Sequence, residues 1–141
     1  MNDHLLPHRG TARMLERVAR RDETSIVART STHRDEANPL RHGGRLASVA
    51  LVEYGAQAMA MHGALRNRDA GLEPQSALLV SVRDFTATRD FIDDLPGELE
   101  IVARLLLATT TSWQYSFEAR HEGELIASGR VAAMAHDLPG S

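Results

Sequence analysis

LASVALVEYGAQAMAMHGAL, residues Leu46–Leu65, is the longest apolar run of the chain, and Ser48, Glu53, Gln57 and His62 are its only strongly polar side chains. A run this long has the reach of a membrane span, but a carboxylate at the centre of a bilayer is costly. No second, longer hydrophobic segment accompanies it. The stretch therefore reads as a buried core helix, with the rest of the chain wrapped around it.

Outward from that helix, the pattern changes on both sides. Thr24–Thr32 (TSIVARTST) is rich in β-branched residues and has the length of a strand. Before it, Ala12–Arg21 reads as a short strand or one helical turn. His33–Gly44 is polar and broken by Pro39, Gly43 and Gly44, a loop that leads into a helix starting near Leu46 and ended by Gly71 and Pro74. Downstream, Ser76–Thr88, Leu99–Thr109, Ser112–His121 and Leu125–His136 read as four strands. In the third of these Trp113, Tyr115, Phe117 and Ala119 alternate with polar residues, as in a half-buried strand. Short turns at Pro96-Gly97 and Glu122-Gly123 imply antiparallel neighbours, hence an α+β domain. A helix apolar nearly all round must be covered on more than one side. A small antiparallel sheet curling around it does so, leaving a sheet edge and a helix face for a partner. That is the hotdog architecture, and it argues for a dimer.

The bulk properties set bounds. At 141 residues the chain fits one domain over 1–141, with room for a real core. A net charge of −3 with scattered arginines offers no basic face for nucleic acid. There is no cysteine, so neither disulfide nor thiolate chemistry. The opening MNDHLLPHRG lacks a signal-peptide pattern, so a cytoplasmic, membrane-free setting is expected. The histidines show no metal-binding spacing, and neither metal nor cofactor is expected.

Two segments carry a family resemblance. LPHRGTARMLERV (Leu6–Val18) resembles the opening of the FabZ-type 3-hydroxyacyl-acyl-carrier-protein dehydratases, and VALVEYGAQA (Val49–Ala58) resembles their helix core. Arg45-Leu46 through His62, with Glu53, Tyr54, Ala56, Gln57, Ala58, Ala60 and His62, is most similar to the divergent ApeP-like branch of aryl polyene pigment clusters. The resemblance implies a hotdog fold and dehydration of a 3-hydroxyacyl thioester held on acyl carrier protein, giving the trans-2-enoyl thioester. It also implies a homodimer, or a heterodimer with another hotdog dehydratase.

Such a reaction needs a base for the α-proton and an acid for the departing hydroxyl. Backbone N–H groups at the thioester carbonyl assist where enolate charge develops. In the FabZ family a loop histidine and a helix glutamate share the proton transfers, and the start of the helix supplies the N–H groups. By this resemblance Glu53 is the glutamate. Gln57, one turn on and on the same face, is positioned to orient it and to bind substrate, and Ser48 stands at the helix start. The family's H-F-P-G histidine position holds Pro39, which leaves His42, flanked by Gly43 and Gly44, as the loop histidine. His8 and Arg9 match a motif that anchors the N-terminal segment. His62, nine residues after Glu53 at about 100° per residue, projects to the opposite face and reads as structural or interfacial. Two other readings share the fold: a thioesterase whose carboxylate activates water, and a non-catalytic subunit paired with an active dehydratase.

Overall fold

The computed structural model describes residues 13–73, 75 and 77–135. The expectations for His4, His8, Arg9, Pro74, Ser76 and His136 lie outside the described residues. Four aliphatic or β-branched segments, one aromatic-rich segment (β5) and one arginine-rich segment (β1) form the strands: β1 Arg17–Arg21, β2 Ser25–Thr30, β3 Ala77–Ala87, β4 Leu99–Ala108, β5 Ser112–His121 and β6 Glu124–Ala135. One long helix, α1 Leu51–Asp69, separates β2 from β3. The strands make one six-stranded sheet in the order β1-β2-β4-β5-β6-β3, every pairing antiparallel. The helix lies across one face of this sheet, chiefly over β4 with β2, β5 and β6 beside it. This is the α+β hotdog architecture. No helix among the described residues is long and apolar enough to cross a membrane.

Two details depart from the sequence reading. The α-helix begins at Leu51, after a single 3-10 turn over Ser48–Ala50, rather than near Leu46. Residues 45–48 are instead drawn into extended pairing with the β3–β4 connection: Ile92 N–H donates to Leu46 C=O at 2.9 Å and Ser48 N–H to Asp90 C=O at 2.8 Å. Long-range backbone bonds here override local helix propensity. The second departure is β3, which pairs with β6 at the sheet's edge and not with its chain neighbour β4. The 88–98 connection carries the chain across from that edge to the centre.

The interior is set by one aromatic ring. β5 alternates as expected, with Tyr115, Phe117, Ala119 and His121 buried toward the helix. Phe117 lies between Gly55 of α1 and Gly129 of β6. A Cβ on Gly55 would fall 2.5 Å from Phe117 Cγ, and one on Gly129 would fall 3.0 Å from its Cε1. The ring therefore needs both glycines, and helix and sheet approach closely because of them. Phe85 stacks on the same ring, centroids 6.3 Å apart. Met59 and Met61 belong to this core, as do Met14 and Leu15 of the segment before β1.

The two sheet edges differ in character. β1 is exposed throughout and carries Arg17, Arg20 and Arg21, with a register irregularity between Val18 and Arg20. Arg17 pairs with Glu98 and Arg21 with Asp69 at the end of α1. Charge and a bulge are the usual guards of an edge strand. β3 also has an irregularity, between Leu79 and Ser81, but carries no charge over its first half: Leu78, Leu79, Val80 and Val82 are all exposed. One stripe of α1 is likewise left uncovered: Glu53, Ala56, Ala60 and Gly63 are half-buried, and Val49 in the turn before the helix is exposed.

Alanine is the better helix former, so an unpacked Gly55→Ala would stabilise α1 by about 1 kcal/mol. Here the added Cβ meets a ring that Gly129 prevents from retreating, and net destabilisation of about 1–3 kcal/mol is expected. Denaturant unfolding of Gly55→Ala against the wild type checks the sign.

Candidate active site

Glu53 sits in the first turn of α1, half-buried, on the face that the chain's own sheet leaves uncovered. Gln57 follows one turn later and is 3% exposed. Its Nε2 donates to Glu53 Oε2 at 3.1 Å, while its Oε1 accepts the Met14 backbone N–H at 2.7 Å. An amide N–H can only donate, so Met14 decides which way the Gln57 side chain faces. The NH2 group is thereby turned onto the carboxylate. A hydrogen bond donated to a carboxylate oxygen fixes the rotamer of the acid.

Met14 is held in turn. Its carbonyl accepts from Thr30 Oγ1 at 2.5 Å and from Thr32 Oγ1 at 2.7 Å. Tyr54, fully buried beside Glu53 in sequence, places its hydroxyl 2.9 Å from Thr32 Oγ1. Asn38 Nδ2 donates to the same tyrosine at 3.2 Å and to Thr32 C=O at 2.9 Å, and its Oδ1 accepts the Leu40 N–H. Burial, the largest cause, pushes the Tyr54 phenol above its ordinary value, so it stays protonated and able to donate. Each polar atom in this set has a partner, as burial requires.

The start of the helix is clamped by the β3–β4 connection. Asp93 accepts the Leu46 N–H at 2.9 Å and pairs with Arg45 Nε at 3.0 Å. The Leu46 N–H is the main reason its carboxyl lies below the usual carboxylate range. The Arg45 guanidinium lies over Phe91, 4.2 Å from the ring centroid. Ser48 is 4% exposed, and its hydroxyl donates to Arg89 C=O at 2.6 Å. Both donors of Ser48 are thus used within the protein, holding the first turn in place.

His42 is found elsewhere in the loop. It and Arg45 exchange backbone hydrogen bonds of 2.8 and 3.0 Å around Gly43 and Gly44, whose φ values are +60° and +78°. Two consecutive positive φ values make this a tight two-residue turn, which glycine adopts at no steric cost. The imidazole is exposed, and no hydrogen bond joins it to Glu53 among the described residues. The structure therefore brings Glu53 and Gln57 together and sets Ser48 at the helix start. It leaves His42 at the tip of a turn.

Three other histidines are structural. His62 is fully buried, with Nε2 2.9 Å from Asp22 C=O and Nδ1 2.6 Å from the Tyr115 hydroxyl. The carbonyl only accepts, so Nε2 carries the proton and Nδ1 accepts from Tyr115. Burial pushes the Tyr115 phenol up to about 12. His33 is also fully buried and donates through Nε2 to Leu95 C=O at 2.9 Å, and His121 Nε2 reaches Pro96 C=O at 2.8 Å. These two rings hold the connection that clamps the helix start. His33 and Asn38 fall in a polar stretch with the composition of a loop, and nothing near Asp93 in sequence marks its role. Each acts through a partner distant in sequence, which local pattern does not mark.

The arrangement offers an oriented carboxylate on an open helix face, beside a firmly held helix start. It suits proton transfer at a group bound against that face. Comparison with known proteins gives a family. A family model for the ApeP-like group, described as ApeP dehydratase, matches residues 2–139. Among solved structures the chain is similar to the dehydratase heterocomplex ApeI:P from Xenorhabdus doucetiae, with 20% identity and TM-score 0.85 over 96% of this chain and 90% of that one. It is also similar to AziG of S. sahachiroi, with 21% identity and TM-score 0.64 over 88% and 92%. A mutant thioesterase from Pseudomonas aeruginosa resembles it at 17% identity and TM-score 0.61 over 86% and 81%. A search of curated protein sequences gives no match.

Burial lowers the pKa of His62 and His33 below the ordinary 6.5. Backbone acceptors Asp22 and Leu95 oppose this in each case, and Arg66 near His62 and Arg34 near His33 reinforce it. Both rings are therefore neutral in the fold, and the unfolded chain binds more protons below pH ~6.5. Their contribution to stability is complete above that pH and is lost as pH falls from there through the folded-state values. Melting temperatures recorded from pH 8 to 5 should hold steady and then decline, with His62→Gln flattening part of the decline.

Proposed function

This chain belongs to the ApeP-like dehydratase family, and from that membership we propose that it dehydrates a 3-hydroxyacyl thioester carried on acyl carrier protein to the trans-2-enoyl thioester. The observation that carries the reading is Glu53, fixed by Gln57 on the one helix face its own sheet leaves open. In the reaction the α-carbon loses a proton to a base. The electron pair forms the Cα–Cβ double bond, and the β-hydroxyl leaves as water with a proton from an acid. Glu53 performs one of these two transfers. The other falls to His42, after movement of its two-glycine turn, or to a histidine of a second hotdog chain. Gln57 positions Glu53. Ser48 serves the substrate by setting the helix start against which the thioester carbonyl lies.

The same reading includes a paired chain. β3 presents an exposed apolar edge, and the uncovered stripe of α1 lies on the face that holds Glu53. A second hotdog chain, identical or a related dehydratase, would pair with that edge and enclose the acyl group. The similar solved complex of two dehydratase chains supports the heteromeric form.

Enoyl absorbance after mixing the purified chain with a 3-hydroxyacyl thioester tests the reaction, and release of free thiol instead would mark a thioesterase. Glu53→Gln keeps an acceptor for Gln57 and should lower the enoyl rate by about 100-fold or more without changing the melting temperature. Full activity in that variant would remove Glu53 from the site. His42→Ala decides between the two candidates for the second transfer: unchanged activity assigns it to the partner. For the pairing, Val80→Lys should shift the species measured by light scattering toward the monomer.

A further inference from the structure

The face of the sheet turned away from α1 carries a feature that the dehydration site does not use. Arg83 of β3 and Arg130 of β6 stand directly opposite each other, and Ser116 and Arg104 continue the same row across β5 and β4. One row along, Ser81, Ala132 and Gln114 face the same way. Ser81, Arg83, Gln114 and Arg130 together line an open depression of about 140 Å³, floored by Val131 and Ala132. Like charges set directly across a strand pair repel, and a sheet does not juxtapose two arginines without cost.

The backbone is shaped around them. β3 shifts register between Leu79 and Ser81 and again between Arg83 and Thr86, so the short paired run of Ser81 to Arg83 is flanked by two irregularities. Asp84 takes a left-handed φ of +55°, strained for a residue with a side chain. Its carboxylate then pairs with Arg130, Nη2 to Oδ2 at 2.7 Å and Nε to Oδ2 at 3.2 Å. Irregularities of this kind re-aim side chains. Arg130 is thus held in place, whereas the Arg83 guanidinium has no hydrogen bond or ion pair among the described residues. Two arginines against one aspartate leave one positive charge facing the depression.

We propose that this depression binds a tetrahedral oxyanion of the phosphate and sulfate class. The anion lies between the guanidiniums of Arg83 and Arg130, with the Ser81 hydroxyl and Gln114 amide as neutral donors. Guanidinium forks bind such oxygens in pairs. Donors on three strands surround the site from several directions, which suits a tetrahedral acceptor better than a flat carboxylate. The volume corresponds to about four or five waters of liquid, room for one such group. The proposal is independent of the dehydratase reading. The depression opens perpendicular to the sheet, so pairing of β3 with a second chain, which runs in the sheet plane, leaves it accessible.

Inorganic phosphate titrated into the full chain at low ionic strength, followed through the arginine Nε–Hε resonances, should move the Arg83 and Arg130 signals to saturation. Sodium chloride at matched ionic strength should not. Arg83→Gln should weaken binding about tenfold or more, the loss of one charge-assisted fork. Arg104→Gln, in the same row but outside the depression, should leave it unchanged. Melting temperatures without phosphate confirm that both variants are folded. Glycerol phosphate in place of inorganic phosphate separates the sources: tighter binding marks a site for a phosphoryl group on an organic tether, and weaker binding marks a site for the free anion. Shifts that never saturate, that chloride reproduces, or that Arg104→Gln weakens as much as Arg83→Gln would overturn the site.

Discussion

A single buried amide, that of Gln57, ties together the parts of this protein that have to agree. Its oxygen takes the Met14 N–H and its nitrogen faces Glu53. Either group left unsatisfied in the interior would cost about 1–3 kcal/mol, so the two bonds stand or fall together. Docking of the segment before β1 is thereby coupled to the direction in which the Glu53 carboxylate points, one turn along the helix. The Met14 carbonyl extends the coupling through Thr30 and Thr32 to Tyr54 and Asn38. A helix whose surface were wholly apolar would slide over the sheet at little cost. This one is registered by polar contacts that admit one arrangement.

A second set of ties holds the start of the helix. Asp93 takes the Leu46 N–H, Asp90 and Arg89 take both donors of Ser48, and His33 and His121 hold the carbonyls of Leu95 and Pro96. The 88–98 connection is therefore a platform rather than a slack crossover. Electrostatic work at the helix start needs that rigidity, because dipoles that reorient during a reaction stabilise it less.

These ties mark where the sequence was legible and where it was not. The helix, the acid within it, the alternation of β5 and the antiparallel α+β class follow from local pattern, because period and composition express them directly. The Glu53–Gln57 contact follows from the one-turn spacing alone. The onset of the helix did not follow. Leu46 to Ser48 look helical in composition, and only bonds to residues 89–93, more than forty positions away, pull them straight. His33 carries no local sign of burial, since the carbonyl that binds it belongs to Leu95. The place of β3 was also hidden: short turns imply pairing with its chain neighbours, whereas it lies at an edge beside β6.

The unequal edges of the sheet have a consequence for growth. A sheet with two receptive edges can add chains at both ends without limit, the geometry of a fibre. Both edges carry irregularities, but the β1 edge is occupied by arginines, whereas the first half of β3 is flanked by exposed aliphatic side chains. Once two such edges meet, each has consumed the other and no receptive edge remains. Were two β3 edges to pair in this way, the arginines of β1 would stand where a third chain would otherwise join.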